Sequence, residues 1–375
     1  MILFDPLDPP PGAWPAGCDS RAYIEGIARA GVGAMIPNVA TRWMALRAGE
    51  RVYPVTINEG GVGGSYVCLP HSAYILYARA ELDIVDTGWL RPLLRAMIAA
   101  ADRLLRWGQV NRVLHIDNWM LSTNLHGDWQ GDDLPAIRAF LAERFPAHAI
   151  AVRSVDGWSS PALLDAARSD GWRLLASRQI WVTGDLETQW RARRNTGHDF
   201  RLLRRSGLAI DEFAVMTEAD AARIAELYHL LYVGKYSPLN PIFSPDWILM
   251  TWREGILRYR GARDAQGTLL AVTGALVRGD VLTPPIVGYD TARPRREGLY
   301  RIATLLFTSM AHEKGIRLNG SAGAAQFKRN RGATGVIEYT AVAAGHLPWR
   351  RRAVLGLMQA ALDRLAVPLM RRRGL

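Results

Sequence analysis

The stretch best suited to hold a charged ligand lies at 293–300. Arg293, Arg295 and Arg296 form a basic turn that runs into Gly298, and the residues beyond it read as a helix start. The first amides of a helix lack intrahelical acceptors and sit at the positive end of its dipole, so they attract anions. A glycine there lets a phosphate reach the backbone. Arg295, Arg296, Gly298, Leu299 and Tyr300 form one candidate anion cradle; the alternative is a basic loop with a glycine near a helix start. A second basic loop holds Phe327, Lys328, Arg331 and Gly332, followed by Tyr339 on a strand. In the first half, His115, Asp117, Asn118 and Asn124 cluster after a short apolar run. Polar groups at the C-terminal end of a strand commonly line ligand sites. Asp117 could take or orient an amine proton, and Asn118 and Asn124 could hydrogen-bond a substrate, unless the segment is only an Asx turn. Tyr66 lies in an aromatic and polar run, and Arg178 either ends in a cleft between domains or forms a structural ion pair. Cys68 reads as a core thiol. His71, His115 and His126 lack ligand spacing and two cysteines cannot make a Cys-based zinc site, so no metal is expected.

These groups need a frame, and the hydrophobic pattern supplies one. Strands are predicted at 51–57 and 65–69 around a glycine-rich turn, then at 113–116, 149–153 and 172–182. Helices are predicted at 90–107, 134–145 and 161–169. The alternation argues for an α/β or α+β mixed sheet. The proline-rich start, 6–15, reads as an extended arm. From 191 a helix dense in arginine runs to Ser206 and is closed by Gly207. Strands follow at 208–210, 256–259, 269–277, 281–287, 316–318 and 336–343. Helices follow at 219–233, 245–255, 298–315 and 350–365. The change of character near 185–190 divides the chain into 1–188, an acceptor-side domain, and 189–375, a basic donor-binding domain.

The chain has 375 residues, of which 49% are hydrophobic and 22% charged, a composition that argues against disorder. Its net charge of +11 is unevenly placed. Residues 1–190 carry 17 arginines against 20 carboxylates, and the rest carries 29 basic residues against 15 acidic ones. An arginine-rich coding bias would raise both halves alike, so the asymmetry favours a phosphate-bearing partner for the second half. No stretch reads as the roughly 18–20 uncharged apolar residues of a bilayer span, and the N-terminus has no basic and apolar leader pattern. The expectation is a cytoplasmic protein with no membrane partner.

The motif Arg295, Arg296, Glu297, Gly298, Leu299, Tyr300 resembles the pyrophosphate loop of the GCN5-related N-acetyltransferase (GNAT) superfamily, except that Tyr300 stands where a small residue is usual. Asn319, Phe327, Lys328 and Gly332 resemble the set that follows in the same superfamily. Phe327-Lys328 also resembles a motif of the FemXAB peptidyltransferases, which use two tandem GNAT folds and aminoacyl-tRNA donors. The resemblance implies two tandem GNAT-like domains and transfer of an acyl group to a small-molecule amine acceptor. It implies Lys328 as an oxyanion or phosphate partner, with Tyr339 a candidate acid or a core residue. The donor is acyl-CoA, which the Gly298 loop favours, or aminoacyl-tRNA. In the second case Arg194, Arg201, Arg204 and Arg205 face RNA phosphate rather than only solvent. A third reading is a non-catalytic RNA-binding module on a degenerate scaffold, motivated by Tyr300.

Overall fold

The computed structural model describes residues 1–84 and 91–373. Its strands, in chain order, are β1 (Ile2–Phe4), β2 (Arg42–Ala48), β3 (Arg51–Glu59), β4 (Arg112–Ile116), β5 (Ala149–Asp156) and β6 (Arg173–Thr183). The second half adds β7 (Ala209–Asp211), β8 (Arg258–Arg263), β9 (Leu269–Arg278), β10 (Val281–Tyr289), β11 (Arg317–Asn319) and β12 (Thr334–Ala343). All twelve join one mixed sheet in the order β1-β2-β3-β4-β5-β12-β6-β11-β10-β9-β8-β7. This is the α/β arrangement expected from the alternation of strand and helix patterns.

Reading outward from the central β12–β6 pair, the two sides repeat each other. Each has one parallel pair, β4 with β5 and β10 with β11, and every other pairing is antiparallel. Parallel neighbours need a crossover, and helices Leu134–Arg144 and Leu299–Glu313 supply it in the two halves. The repeat is the tandem arrangement that the family resemblance implied. β12 departs from simple tandem order, because it leaves the second half and enters between β5 and β6. It pairs with β6 from Thr334–Val182 to Val342–Arg173 and with β5 from Glu338–Asp156 to Ala343–Ile150. Each half is therefore completed by a strand of the other.

The core crosses the same line. Tyr23 and Trp119 of the first half stack at 4.9 Å, and Trp247 of the second donates its indole N–H to the Tyr23 hydroxyl at 3.4 Å. The predicted helix at 90–107 runs from Arg91 to Trp107, and Leu90 lies outside the described residues. Two expectations fail. Residues 65–69 are not a strand: Ser65 and Tyr66 donate their amides to Asn38 and Leu239, so the segment turns and buries Val67 and Cys68. Residues 6–15 are not an extended arm, because Ala13 is buried and Trp14 packs edge-on against Phe4. The expectation also missed helix Arg21–Ala30, whose Tyr23, Ile24 and Ile27 are spaced for one buried face.

Removing β12 exposes the unpaired edges of both β5 and β6. Fragments 1–188 and 189–375 expressed separately should each be aggregated or only partly folded by circular dichroism and gel filtration. Co-expressed, they should purify as one complex. A monomeric, cooperatively unfolding 1–188 fragment would show that the strand exchange is dispensable.

Candidate active site between the two halves

β10 and β11 pair only at Val281–Arg317 and Leu282–Leu318, after which they separate. The cause lies in the sequence. Pro284 and Pro285 have no N–H to give to a neighbouring strand, and β10 is bulged between Thr283 and Ile286. The gap opens a cleft lined from the first half by Tyr66, Tyr77, Ser122 and Arg178. The second half contributes Tyr232, Tyr236, Asn240, the two prolines, Tyr300, Lys328 and the loop 320–324. No carboxylate lines it among the described residues. The Pro-Pro pair inside an otherwise apolar strand run was readable in the sequence as a bulge and was missed.

Two cations face this cleft. Arg178 is held across the central strands by Glu338, its direct partner in the β6–β12 register, with Nε–Oε1 and Nη2–Oε2 at 3.0 and 3.2 Å. Its Nη2 also donates to Thr123 Oγ1 at 2.8 Å, which leaves Nη1 without a protein partner among the described residues. Glu338 is 3% exposed and went unnoticed in the sequence. Lys328 extends from helix Ala325–Arg329, and its ammonium donates to the carbonyls of Gly320, Ser321 and Ala322 at 2.7, 3.1 and 2.7 Å. Burial, and then the nearby Arg178 charge, push its pKa down to about 7, against three carbonyls that favour the ammonium form. Ser321 and Ala324 in the clasped loop have φ of 58° and 50°. Tyr66 completes the rim, its hydroxyl 2.8 Å from Ser122 Oγ and 3.1 Å from Asn240 Oδ1.

The other predicted donor residues fall less simply. Gly298 does cap the helix Leu299–Glu313 with φ +67°, beside a single turn holding the exposed Arg295 and Arg296. The helix Arg194–Ser206 lies across that start: a Cβ on Gly298 would sit 2.5 Å from Leu202. From the same helix Asp199, 2% exposed, pairs with Arg301 at 2.6 Å and with Arg331 at 2.6 and 3.0 Å. Arg331 is thus committed to a carboxylate and also rests 3.5 Å over the Phe327 ring, which corrects its assignment to the donor. Leu299 is buried in the core of the second half. Gly332 is needed for close packing, since a Cβ there would lie 1.9 Å from the Gln189 carbonyl oxygen. Tyr300 reaches the cleft and packs against Phe327 at 5.0 Å, so the large residue in the loop motif serves as cleft wall.

Among solved structures the chain is similar to FemX. The identity is 9% over 90% of this chain and 93% of that one, with a TM-score of 0.46. It is similar also to L-PGS from Bacillus licheniformis, at 15% identity over 61% of this chain and 79% of that one, TM-score 0.44. A tandem GNAT protein from the clavulanic acid biosynthesis pathway matches at 12% identity over 86% and 87%, TM-score 0.38. No protein-family model and no curated protein matches the sequence. No residue role passes across at such identities.

The polar cluster of the first half is structural, a correction to its assignment as catalytic and substrate-binding. Asp117 is 1% exposed and accepts from the Trp119 indole at 2.7 Å and from Arg278 at 3.2 Å, with His126 Nδ1 at 2.8 Å. Asn118 donates to Thr56 and the Val67 carbonyl and accepts from Arg153 and the Met120 amide. Asn124 is buried beside it, 3.3 Å from its oxygen. Tyr339 is half-buried and packs against the cluster of Ala176, Ile337 and Val367 rather than lining the cleft. Burial raises the Cys68 thiol to about 12, in keeping with a core thiol.

Burial alone would raise the Asp117 carboxyl, but Arg278, His126 and Trp119 outweigh it and hold the pKa at about 2. A depressed carboxylate stabilises the fold above its unfolded pKa, and that contribution is lost as pH falls from about 4 to about 2. An Asp117→Asn variant should be less stable than the parent at pH 7. The difference should shrink in urea melts at pH 3, whereas a constant difference across this range would refute the assignment.

Proposed function

We propose that the chain is a transferase that moves an aminoacyl group from tRNA to an amine in the cleft between its halves. The observation that carries the choice of donor is the double use of the helix Arg194–Ser206. Its inner face sets Leu202 and the carboxylate of Asp199 beside the helix start that would cradle a diphosphate. Its outer face exposes Arg194, Arg201, Arg204 and Arg205, none of them in an ion pair among the described residues. Leu202 crowds the glycine where a diphosphate would approach the backbone, while a row of unpaired arginines suits an extended polyanion. The acyl-CoA reading rests on Arg295 and Arg296, exposed and unpaired beside Gly298. A charged-tRNA donor carries a cytoplasmic setting with it.

The chemistry follows from what the cleft contains. The acceptor nitrogen attacks the ester carbonyl carbon, the C–N bond forms and negative charge gathers on the carbonyl oxygen. Pro284 and Pro285 offer no N–H at the bulge, so the donors to that oxygen are side chains. Arg178 Nη1 and the Lys328 ammonium are the cations available to it. Collapse breaks the C–O bond, and the ribose hydroxyl leaves with the proton given up by the amine. With no carboxylate in the cleft, that proton travels through water or the Tyr66 hydroxyl.

Two measurements test this. Purified protein is incubated with charged tRNA or acetyl-CoA and an amine acceptor, and transfer is followed. Lys328→Met should cut transfer by about 100- to 1000-fold while leaving tRNA binding within about threefold, the size expected of one lost oxyanion donor. Wild-type transfer should fall as pH rises through about 7, because the ammonium is the active form. Arg201→Gln/Arg205→Gln should reduce the slope of log K against log salt by about 1.5. Saturable acetyl-CoA turnover without tRNA turnover would establish the acyl-CoA reading, and tRNA binding without transfer the non-catalytic one.

A further inference from the structure

The last helical stretch, Trp349–Arg372, differs from every other helix among the described residues in being long and apolar enough to cross a membrane, yet only 17% of its most apolar window is buried. It does not leave the body of the protein. Val354, Leu355 and Met358 pack into the core beside helix Arg91–Trp107. The buried Arg351 donates to the carbonyls of Gly108, Gln109 and Arg112 at 3.0, 3.0 and 2.9 Å. The outward face is another matter. Trp349, Leu357, Leu365 and Leu369 are 70%, 59%, 63% and 46% exposed. With the exposed Ala353 and Ala361 they follow one another at four-residue steps. A straight α-helix drifts by about 40° at each such step, but the wider turn at Leu362–Ala366 takes up part of that drift and keeps the stripe on one side. The neighbouring helix adds the exposed Leu93 and Met97, and its Trp107 carries the Arg350 guanidinium 5.3 Å over its ring.

We infer that this face docks on the surface of an anionic lipid bilayer, with the helix lying in the plane of the interface. Arg352, Arg364, Arg371 and Arg372 are exposed on the helix, against a single carboxylate, Asp363. Exposed tryptophan, leucine and arginine on one surface helix are the composition of an interfacial segment. Charge decides between occupants. A second copy meeting this face about a two-fold axis would bring two arginine-rich faces together, whereas anionic headgroups neutralise them while the leucines enter the acyl boundary. Spanning is ruled out by the packed inner face and by Arg351, which would lose four backbone acceptors on leaving, the carbonyls of Gly108, Gln109, Arg112 and Ala147.

The test uses the full chain and flotation with vesicles of phosphatidylcholine alone or with 30% (about one third) phosphatidylglycerol. Binding should be at least about tenfold stronger to the anionic vesicles. Leu357→Glu/Leu365→Glu should abolish it without changing the circular dichroism or the melting temperature, since both side chains are exposed. Arg201→Gln/Arg205→Gln, on the other basic surface, should leave it unchanged. Equal loss in that second pair, or retention in the glutamate pair, would mean non-specific charge attraction and overturn the proposal. So would a concentration-dependent dimer in sedimentation that Leu357→Glu/Leu365→Glu dissolves, with no vesicle binding by the parent.

Discussion

The antiparallel pairing of β6 with β12 is the constraint on which the rest of the molecule depends. It places a strand from the end of the chain at the centre of the sheet, so neither half closes without the other. The same pairing sets Glu338 directly opposite Arg178, which turns a register into an oriented guanidinium. Buried ion pairs give little net stability, because desolvation offsets attraction, but they fix geometry. Here the geometry matters more. Arg178 and Tyr66 belong to one half and Lys328 and Tyr300 to the other, and the cleft exists where they meet. The site is thus a product of the exchange rather than a property of either half.

The second half carries far more positive charge than a small ligand needs, and the structure sorts that charge into three uses. Some arginines are structural: Arg301 and Arg331 share Asp199, and Arg260 pairs with both Glu212 and Glu313. Some stand exposed on Arg194–Ser206 and beside Gly298, and others on the last helix. Exposed charges contribute little to stability in salt water. Such charges suit polyanions, and the two exposed groups are on different elements that offer different companions. Arginines interspersed with polar residues suit RNA, while arginines flanking a stripe of leucine and tryptophan suit a lipid surface.

Much of the fold was legible because its strands and helices differ in period. Helix Pro161–Ser169 was readable to the residue, bracketed by its N-terminal proline and Gly171. Strands β9 and β10 stand out as apolar runs because both their faces are covered. The exchange was not legible, because nothing local in β12 says which neighbour it will join. Lys328, Arg178, Tyr66 and Tyr300, singled out from residue type and motif, all line the cleft. Asp117, Asn118 and Asn124 were misread because a buried hydrogen-bond network and a ligand site draw on the same residue types. Only the partners, here His126, Arg278 and Arg153, tell them apart. Tyr339 misled for a different reason: strand alternation with Glu338 turns it away from the cleft.

Lys328 presents the sharpest physical question, because its ammonium already spends its three hydrogens on the carbonyls of Gly320, Ser321 and Ala322. Those carbonyls belong to a loop in which Ser321 and Ala324 hold left-handed conformations that cost roughly 1–3 kcal/mol each outside glycine. The lysine helps to hold this loop, together with backbone bonds between Trp181 and Gly320 and Ser321 and the bond from the Ser321 amide to Asn319. An incoming oxyanion can take one of the three hydrogens only by displacing a carbonyl, and a full negative charge outcompetes a neutral dipole for an ammonium. The same clasp holds the ammonium in place before reaction, so stabilising the transition state requires little reorganisation. In the proposed reaction the clasp and the oxyanion donor would be one device: the carbonyls hold the cation ready, and only a charge as strong as the oxyanion would draw it away.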